Sequence, residues 1–489
     1  MRAFLVVVAV LAAGSVQAAE KTNVLFIAID DLNDWVGPLG GHPQVKTPQL
    51  DALAARGTTF TNAHCQAPLC NPSRTSIMTG LRPSTTGVYA LAPWFRTSPK
   101  LKDHLTLFQW FHDHGYTTMT AGKVFHDAYP PKADRKNGGP EVDVWGTAGA
   151  FEPRPKTKFV TTPDNIPAMD WGPFPDTDDK CFDYDVATWT VEQLKSSPKG
   201  PFFLAVGLRH PHVPCFAPQK WFDLYPEETL ILPPVKADDR GDLPRFASYL
   251  HWKLPEPRLK WLQENKQWIP LVRAYLASIS FVDAQVGRIL AALHDSGLEE
   301  STIVVLWSDH GWHLGEKGIT GKNTLWERST HVPLIFAGPG VARGAKCNQP
   351  VELLDLYPTL TEVCALRQNP LNEGQSLAPQ LKDAKAPRER PAVTTHNPGN
   401  HAVRTMKWRY IRYVDGSEEL YDEEKDPHEW TNLASDPTLT AVKQQLAKWL
   451  PAASAPPLPG SAGRLLTYDN GVPVWEGKPI GKDEAFPER

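Results

Sequence analysis

Cysteine and methionine are scarce in this chain of 489 residues, which carries six of the first and five of the second. Six cysteines (65, 70, 181, 215, 347 and 364) are too few to staple a disulfide framework, and a chain this long, 41% hydrophobic, can bury a large core without one. Positive charge is not in surplus either. Lysine and arginine number 51 against 55 acidic residues, a formal net charge of -4, so no broad basic field exists and nucleic acid is excluded as a partner. An anionic ligand needs a local positive pocket instead. Internal repeats are absent. The one long apolar run at the N-terminus, Ala3 to Ala13, falls short of the roughly 20 residues of a membrane span. Preceded by Met1-Arg2 and followed by Ser15-Val16-Gln17-Ala18-Ala19, it reads as a secretory signal peptide, residues 1–19. The expectation is a periplasmic or secreted protein with no stable membrane insertion.

Proline and tryptophan are plentiful, at 47 and 17. The prolines predict many rigid surface loops, and the tryptophans fill cores or line sugar-binding clefts. Val24 to Ile29 is a continuous apolar run, as suits a strand buried on both faces, and it ends in Asp30-Asp31. Thr47-Pro48 opens a helix through Ala55, and Pro72 occupies the first turn of another that runs to Met78 and stops at Gly80. Helix and strand then alternate: 105–114 with 116–121, 185–195 with 202–208, and 268–294 with 302–307. This predicts an α/β fold whose mostly parallel sheet is flanked by helices. Segments 129–175 and 230–257 read as long loops decorating one face. After Pro387 the pattern changes to short alternating strands and a helix near 439–450. The predicted division is a catalytic domain over 20–386 and a smaller α+β subdomain over 387–489, ending in a Pro- and Gly-rich tail that wraps the surface.

Ligands in open α/β sheets bind beyond the carboxyl ends of the strands. Four predicted strand ends, at Asp30, Ala121, Leu208 and Trp307, lead directly into polar residues. Asp30, Asp31, Asp309 and His310 therefore gather from two distant segments. Each aspartate alone could serve a turn, but adjacent carboxylates repel unless a cation lies between them, and hard oxygen donors favour Ca²⁺ or Mg²⁺ over zinc. Cys70-Asn71-Pro72-Ser73-Arg74 adds a thiol at a helix start with an arginine one turn on. Cys65 reads as a small buried residue.

The chain resembles the type I, formylglycine-dependent sulfatases, and within them the iduronate-2-sulfatase-like branch. The resemblance runs from Thr22 through Pro333 and resumes at Glu419-Leu420-Tyr421-Asp422, Asp426-Pro427 and Asn432-Leu433. Its motifs are Cys70 to Arg74, Gly122-Lys123-Val124-Phe125-His126, Pro211-His212-Val213-Pro214, Ser308-Asp309-His310-Gly311-Trp312 with Leu314-Gly315-Glu316, and Lys322. It implies an alkaline-phosphatase-like core. It also implies that a formylglycine-generating enzyme oxidises Cys70 to Cα-formylglycine, which joins Asp30, Asp31, Asp309 and His310 around the cation. A hydroxyl of the hydrated aldehyde would attack sulfur, and the second hydroxyl would expel sulfate. Arg74, Lys123 and Lys322 would neutralise the sulfate oxygens, His212 would protonate the leaving sugar oxygen, and His126 would strip the remaining hydroxyl.

The expected substrate is a sulfated oligosaccharide or polysaccharide of glycosaminoglycan type, with a 2-O-sulfated uronate at a chain end. Trp94, Arg96, His210, Trp312, Asn400 and His401 are candidates for the sugar subsite by loop position. Two alternatives stay open: phosphoester or phosphonate hydrolysis on the same architecture, and a glycan-binding relic without chemistry.

Overall fold

A computed structural model describes residues 21–126, 129–138, 141–147, 153–196, 198 and 200–488. The predicted signal peptide lies outside the described residues.

Strand β1 (Asn23–Ile29) is buried at every position, as its unbroken apolar sequence requires. It is the centre of an eight-stranded sheet made with β2 (Gly57–Phe60), β3 (Thr117–Gly122), β4 (Val144–Trp145), β5 (Phe202–Leu208), β6 (Thr302–Ser308), β7 (Leu334–Ala337) and β8 (Ala345–Cys347), in the spatial order β8-β2-β7-β6-β1-β5-β3-β4. Only β7 runs against the rest, pairing antiparallel with both β2 and β6. The alternating side chains of β1 divide the core in two. Leu25, Ile27 and Ile29 face one apolar cluster, and Val24, Phe26 and Ala28 face the other. The first is closed by α1 (Pro48–Ala55), α4 (Phe182–Lys195) and the 28-residue α5 (Trp268–Asp295); the second by α2 (Cys70–Thr79), α3 (Leu107–Asp113) and α6 (Leu356–Val363). By length and composition α5 could cross a bilayer, yet 78% of its most apolar stretch is buried inside the protein.

Register places the chemistry. Ile29 pairs with Leu208 on one side and Ser308 on the other, so three parallel strands end level. The Asp30 amide donates to Leu208 at 3.1 Å, and the Asp309 amide to Ile29 at 3.3 Å. Asp30, Asp31, Asp309 and His310 thus emerge together at one sheet edge.

The C-terminal sheet is antiparallel, β9 (Ala392–Thr395), β10 (His401–Arg404), β11 (Trp408–Arg412) and β12 (Glu418–Asp422) in sequence order, with α7 (Thr440–Ala447) following it. One face packs Val393, Val403, Tyr410 and Leu420 on Leu446 and Leu450. The other face corrects an expectation. Segment 230–257 does not merely decorate the surface: Phe246, Tyr249, Leu250 and Trp252 are buried against Ile411, Tyr413 and Tyr421, because so aromatic a stretch needs apolar cover. Leu466 and Trp475 of the tail complete this third cluster.

Candidate active site

Helix α2 carries Cys70 at its first position, and Gly80, in the left-handed region at φ 71°, ends it. Every residue of this helix is buried, and its charged and several of its polar side chains find partners inside. Ser73 donates to the Asp309 carbonyl at 2.6 Å. Arg74 donates from Nε to Asp309 at 2.8 Å, from Nη2 to Asp30 at 2.9 Å, and from Nη1 to the carbonyls of Lys123 and Val124. Four of the five guanidinium N–H groups are thereby used. In the structure these bonds make Arg74 position the two carboxylates and the β3 loop, with one N–H left over.

The Cys70 sulfur sits in a cationic cradle, with Lys322 Nζ at 3.1 Å, His310 Nε2 at 3.3 Å and Lys123 Nζ at 3.7 Å. Burial alone would raise this thiol. Lys123, Lys322 and His310, with a hydrogen bond from His126, hold it well below its ordinary value. Cys65 and Cys215 show the opposite case, where burial without such partners pushes the thiol up. All six cysteines are buried.

The two lysines are anchored to different carboxylates. Lys123 pairs with Asp30, and Lys322 lies 2.6 Å from Asp31. Burial works against charge on Lys322, but Asp31, the Cys70 thiolate and Asp30 raise its pKa. Asp30 is held below the usual carboxylate range: burial pushes it up, and Lys123, His212 and Arg74 outweigh that. Burial pushes Asp309 up to about 6 in spite of Arg74. His310 is raised, because Asp309 outweighs the burial that disfavours its charged form.

The donor set fits a cation. Ligand atoms of Asp30, Asp31 and Asp309 lie within 4.8 Å of one another, as do those of Cys70, Asp309 and His310, and those of Asp31, Cys70 and His212. Asp31 Oδ2 is buried without a hydrogen-bond partner, an orphaned acceptor in a cluster of carboxylates. Hard oxygens with one imidazole suit Ca²⁺ or Mg²⁺. The two remaining histidines border the same place. His212 is partly exposed, with Nε2 3.8 Å from Asp31 and Nδ1 2.6 Å from the Val213 carbonyl. His126 follows the β3 loop, and its buried Nδ1 has no hydrogen-bond partner.

Most of the expected sugar-subsite residues are turned elsewhere. Trp94 stacks on Tyr129 at 5.4 Å and packs on Phe95 and Phe125 in the second core. Arg96 is committed to Glu141 at 2.6 Å, Gln109 and three backbone carbonyls. His210 is buried between Asp183 and the Phe216 carbonyl, each at 2.7 Å. Asn400 accepts from the Val414 amide at 3.0 Å, and buried His401 meets Thr395 at 2.9 Å. These five hold loops and sheet together, since a polar group taken inside must find partners there. Trp312 is buried too but adjoins the site, with the Lys322 ammonium 5.5 Å from its ring. Sequence reasoning missed Asn323, Glu256 and Arg464, which continue the polar network beyond Lys322.

A family model described as Sulfatase matches residues 22–364, and one described as N-sulphoglucosamine sulphohydrolase, C-terminal, matches 315–455. The chain is 42% identical to a "Sulfatase" of Formosa agariphila over 89% of this chain and 87% of that one. It is 30% identical to a choline-sulfatase of Rhizobium meliloti over 94% of each, and 33% identical to the Homo sapiens iduronate 2-sulfatase over 74% and 72%. The solved structure of a 2-O GAG sulfatase superposes with a TM-score of 0.69 at 25% identity, covering 88% of this chain and 91% of that one. The shared architecture is the alkaline-phosphatase-like one.

Proposed function

The chain belongs to the sulfatase family and is a sulfuric ester hydrolase, and from that premise we propose that it is exported and removes sulfate from a saccharide, at the 2-O position of a uronate at a chain end. The observation that carries the reading is the setting of Cys70, a buried thiol at a helix start between two lysines and beside three carboxylates. The 2-O GAG sulfatase and the iduronate 2-sulfatase support the substrate class.

Cys70 would be oxidised to formylglycine during maturation, and Asp30, Asp31, Asp309 and His310 would hold Ca²⁺ or Mg²⁺ beside it. Together these two groups supply an acidified oxygen nucleophile and relief of negative charge. The remaining work falls to the chain's own residues. Lys123 and Lys322 present two ammonium groups at position 70, where sulfate oxygens must lie, and their anchors Asp30 and Asp31 keep them there before substrate arrives. Arg74 fixes Asp30 from behind and ties it to Asp309. His212, next to Asp31, would give a proton to the departing sugar oxygen, and His126, which hydrogen-bonds the Cys70 thiol, would take one at position 70.

A panel of defined sulfated saccharides, choline O-sulfate, nitrophenyl sulfate and a phosphonate monoester tests this reading, together with the mass of the Cys70 peptide. The 2-O-sulfated uronate should be hydrolysed with the highest kcat/KM, and Cys70 should carry the aldehyde. A preference for choline O-sulfate would overturn the saccharide assignment, and one for the phosphonate would overturn the sulfate ester itself. Unmodified Cys70 in an active preparation would remove formylglycine.

A further inference from the structure

Arg464 belongs to the tail, beyond residue 455 where the second family match ends. The tail lies along segment 84–92: the Ala455 amide donates to Ser84 at 2.7 Å, the Leu458 amide to Gly87 at 3.1 Å, and Ala462 exchanges two bonds with Ala92. That segment is tied to the nucleophile helix, because Asn71 donates its side-chain amide to the Ala90 and Pro93 carbonyls. Gly463 accepts from the Leu91 amide at 3.1 Å, and the next residue, Arg464, adopts φ 72°, unusual without glycine. Asn397 holds this turn from below, with Oδ1 on the Leu466 amide at 3.1 Å and Nδ2 at 3.4 Å from the Arg464 carbonyl.

The side chain so aimed reaches the active-site loop. Nη1 donates to Asn323 Oδ1 at 2.5 Å, and Asn323 directly follows Lys322, whose Nζ is 3.1 Å from the Cys70 sulfur. Nη2 donates to Glu256 Oε1 at 2.6 Å. Glu256 is pressed against the same loop, since a Cβ on Gly321 would come within 2.7 Å of it. The ion pair is incomplete on both sides. Glu256 Oε2 is buried with no hydrogen-bond partner, and the two bonds of Arg464 leave three of its five N–H donors for a ligand. A guanidinium with donors in reserve, beside an unused carboxylate oxygen, is matched to a sugar that presents a carboxylate next to a hydroxyl.

Resting on the sulfatase reading above, we infer that Arg464 recognises the carboxylate of the sulfated sugar, and that the tail thereby sets the preference for uronates. The fork would engage the carboxylate while Glu256 Oε2 accepts a neighbouring hydroxyl.

The test uses the full-length enzyme and three substrates: a 2-O-sulfated uronate disaccharide, the same disaccharide with its carboxyl reduced to the alcohol, and nitrophenyl sulfate. Arg464→Gln should raise KM for the uronate by roughly ten- to hundredfold with kcat little changed, and should leave the other two substrates within about twofold. Arg464→Lys should recover part of the loss, and reading the same ratio on it keeps the test valid should Arg464→Gln fold poorly. Equal losses on all three substrates would make Arg464 a strut of the tail and overturn the inference, as would no loss on any. A parent enzyme that cleaves nitrophenyl sulfate but neither disaccharide would overturn the saccharide reading first, and this inference with it.

Discussion

Arg74 on α2 donates to Asp309 at the end of β6 at 2.8 Å, across 235 residues of sequence. The same guanidinium reaches Asp30 at 2.9 Å, so one buried cation clamps two carboxylates that would otherwise repel. A lysine offers a single point charge and cannot span both. Arg74→Lys should lower kcat/KM by about 10²-fold or more and cost about 3–5 kcal/mol of stability, the range for a buried pair deprived of its partner. Urea unfolding and steady-state kinetics on one preparation check both. Wild-type stability in the variant would show that the clamp is dispensable.

Cys70→Ala should abolish turnover of sugar sulfate and nitrophenyl sulfate alike, because the nucleophile is lost for every leaving group. The fold should survive, since Ala suits a helix and Ser73 and Arg74 still tie α2 to the sheet edge. Circular dichroism with both assays separates the outcomes. Substantial activity in this variant would place the nucleophile elsewhere.

Removing the cation should act on stability and turnover together. Asp31 Oδ2 accepts no hydrogen bond, and Asp30, Asp31 and Asp309 crowd within 4.8 Å. A ligand of the folded state alone stabilises by RT ln(1 + [L]/Kd), so Tm should fall on chelation and climb again with added Ca²⁺. Asp31→Asn should flatten that climb. Unchanged metal content, Tm and rate after exhaustive chelation at fixed ionic strength would contradict the assignment.

How far the site was legible in sequence follows from what each residue answers to. Asp30-Asp31 stood out because six buried apolar residues end in two charges, and level parallel strands then bring Asp309-His310 beside them. Cys70 and its helix start were visible in the proline and glycine that bracket the helix. The sugar-facing residues were not. Arg96 and His210 occupy plausible loops, but their neutralising partners Glu141 and Asp183 lie 45 and 27 positions away, and no local pattern announces such pairings. The β7 strand, which alone in the eight-stranded sheet runs antiparallel, looks like any short apolar run. Arg464 sits in a tail whose composition suggests only a surface wrap, and its place beside Lys322 depends on backbone pairing with segment 84–92.

Proton transfer gives the sharpest test, because the two histidines are proposed for different steps. His212 is partly open to solvent and lies 3.8 Å from Asp31. Its help matters most when the leaving oxygen is a poor anion, as in a sugar, and little for nitrophenolate. His212→Ala should therefore slow a sugar sulfate by about 10²–10⁴ while slowing nitrophenyl sulfate far less. In the proposed mechanism His126 would act after the leaving group has gone, when the two substrates have become the same species. His126→Ala should slow both equally, and quenched-flow mass analysis should find sulfate retained on residue 70. Equal losses on both leaving groups in His212→Ala, with no retained sulfate in His126→Ala, would exchange or remove the roles assigned here.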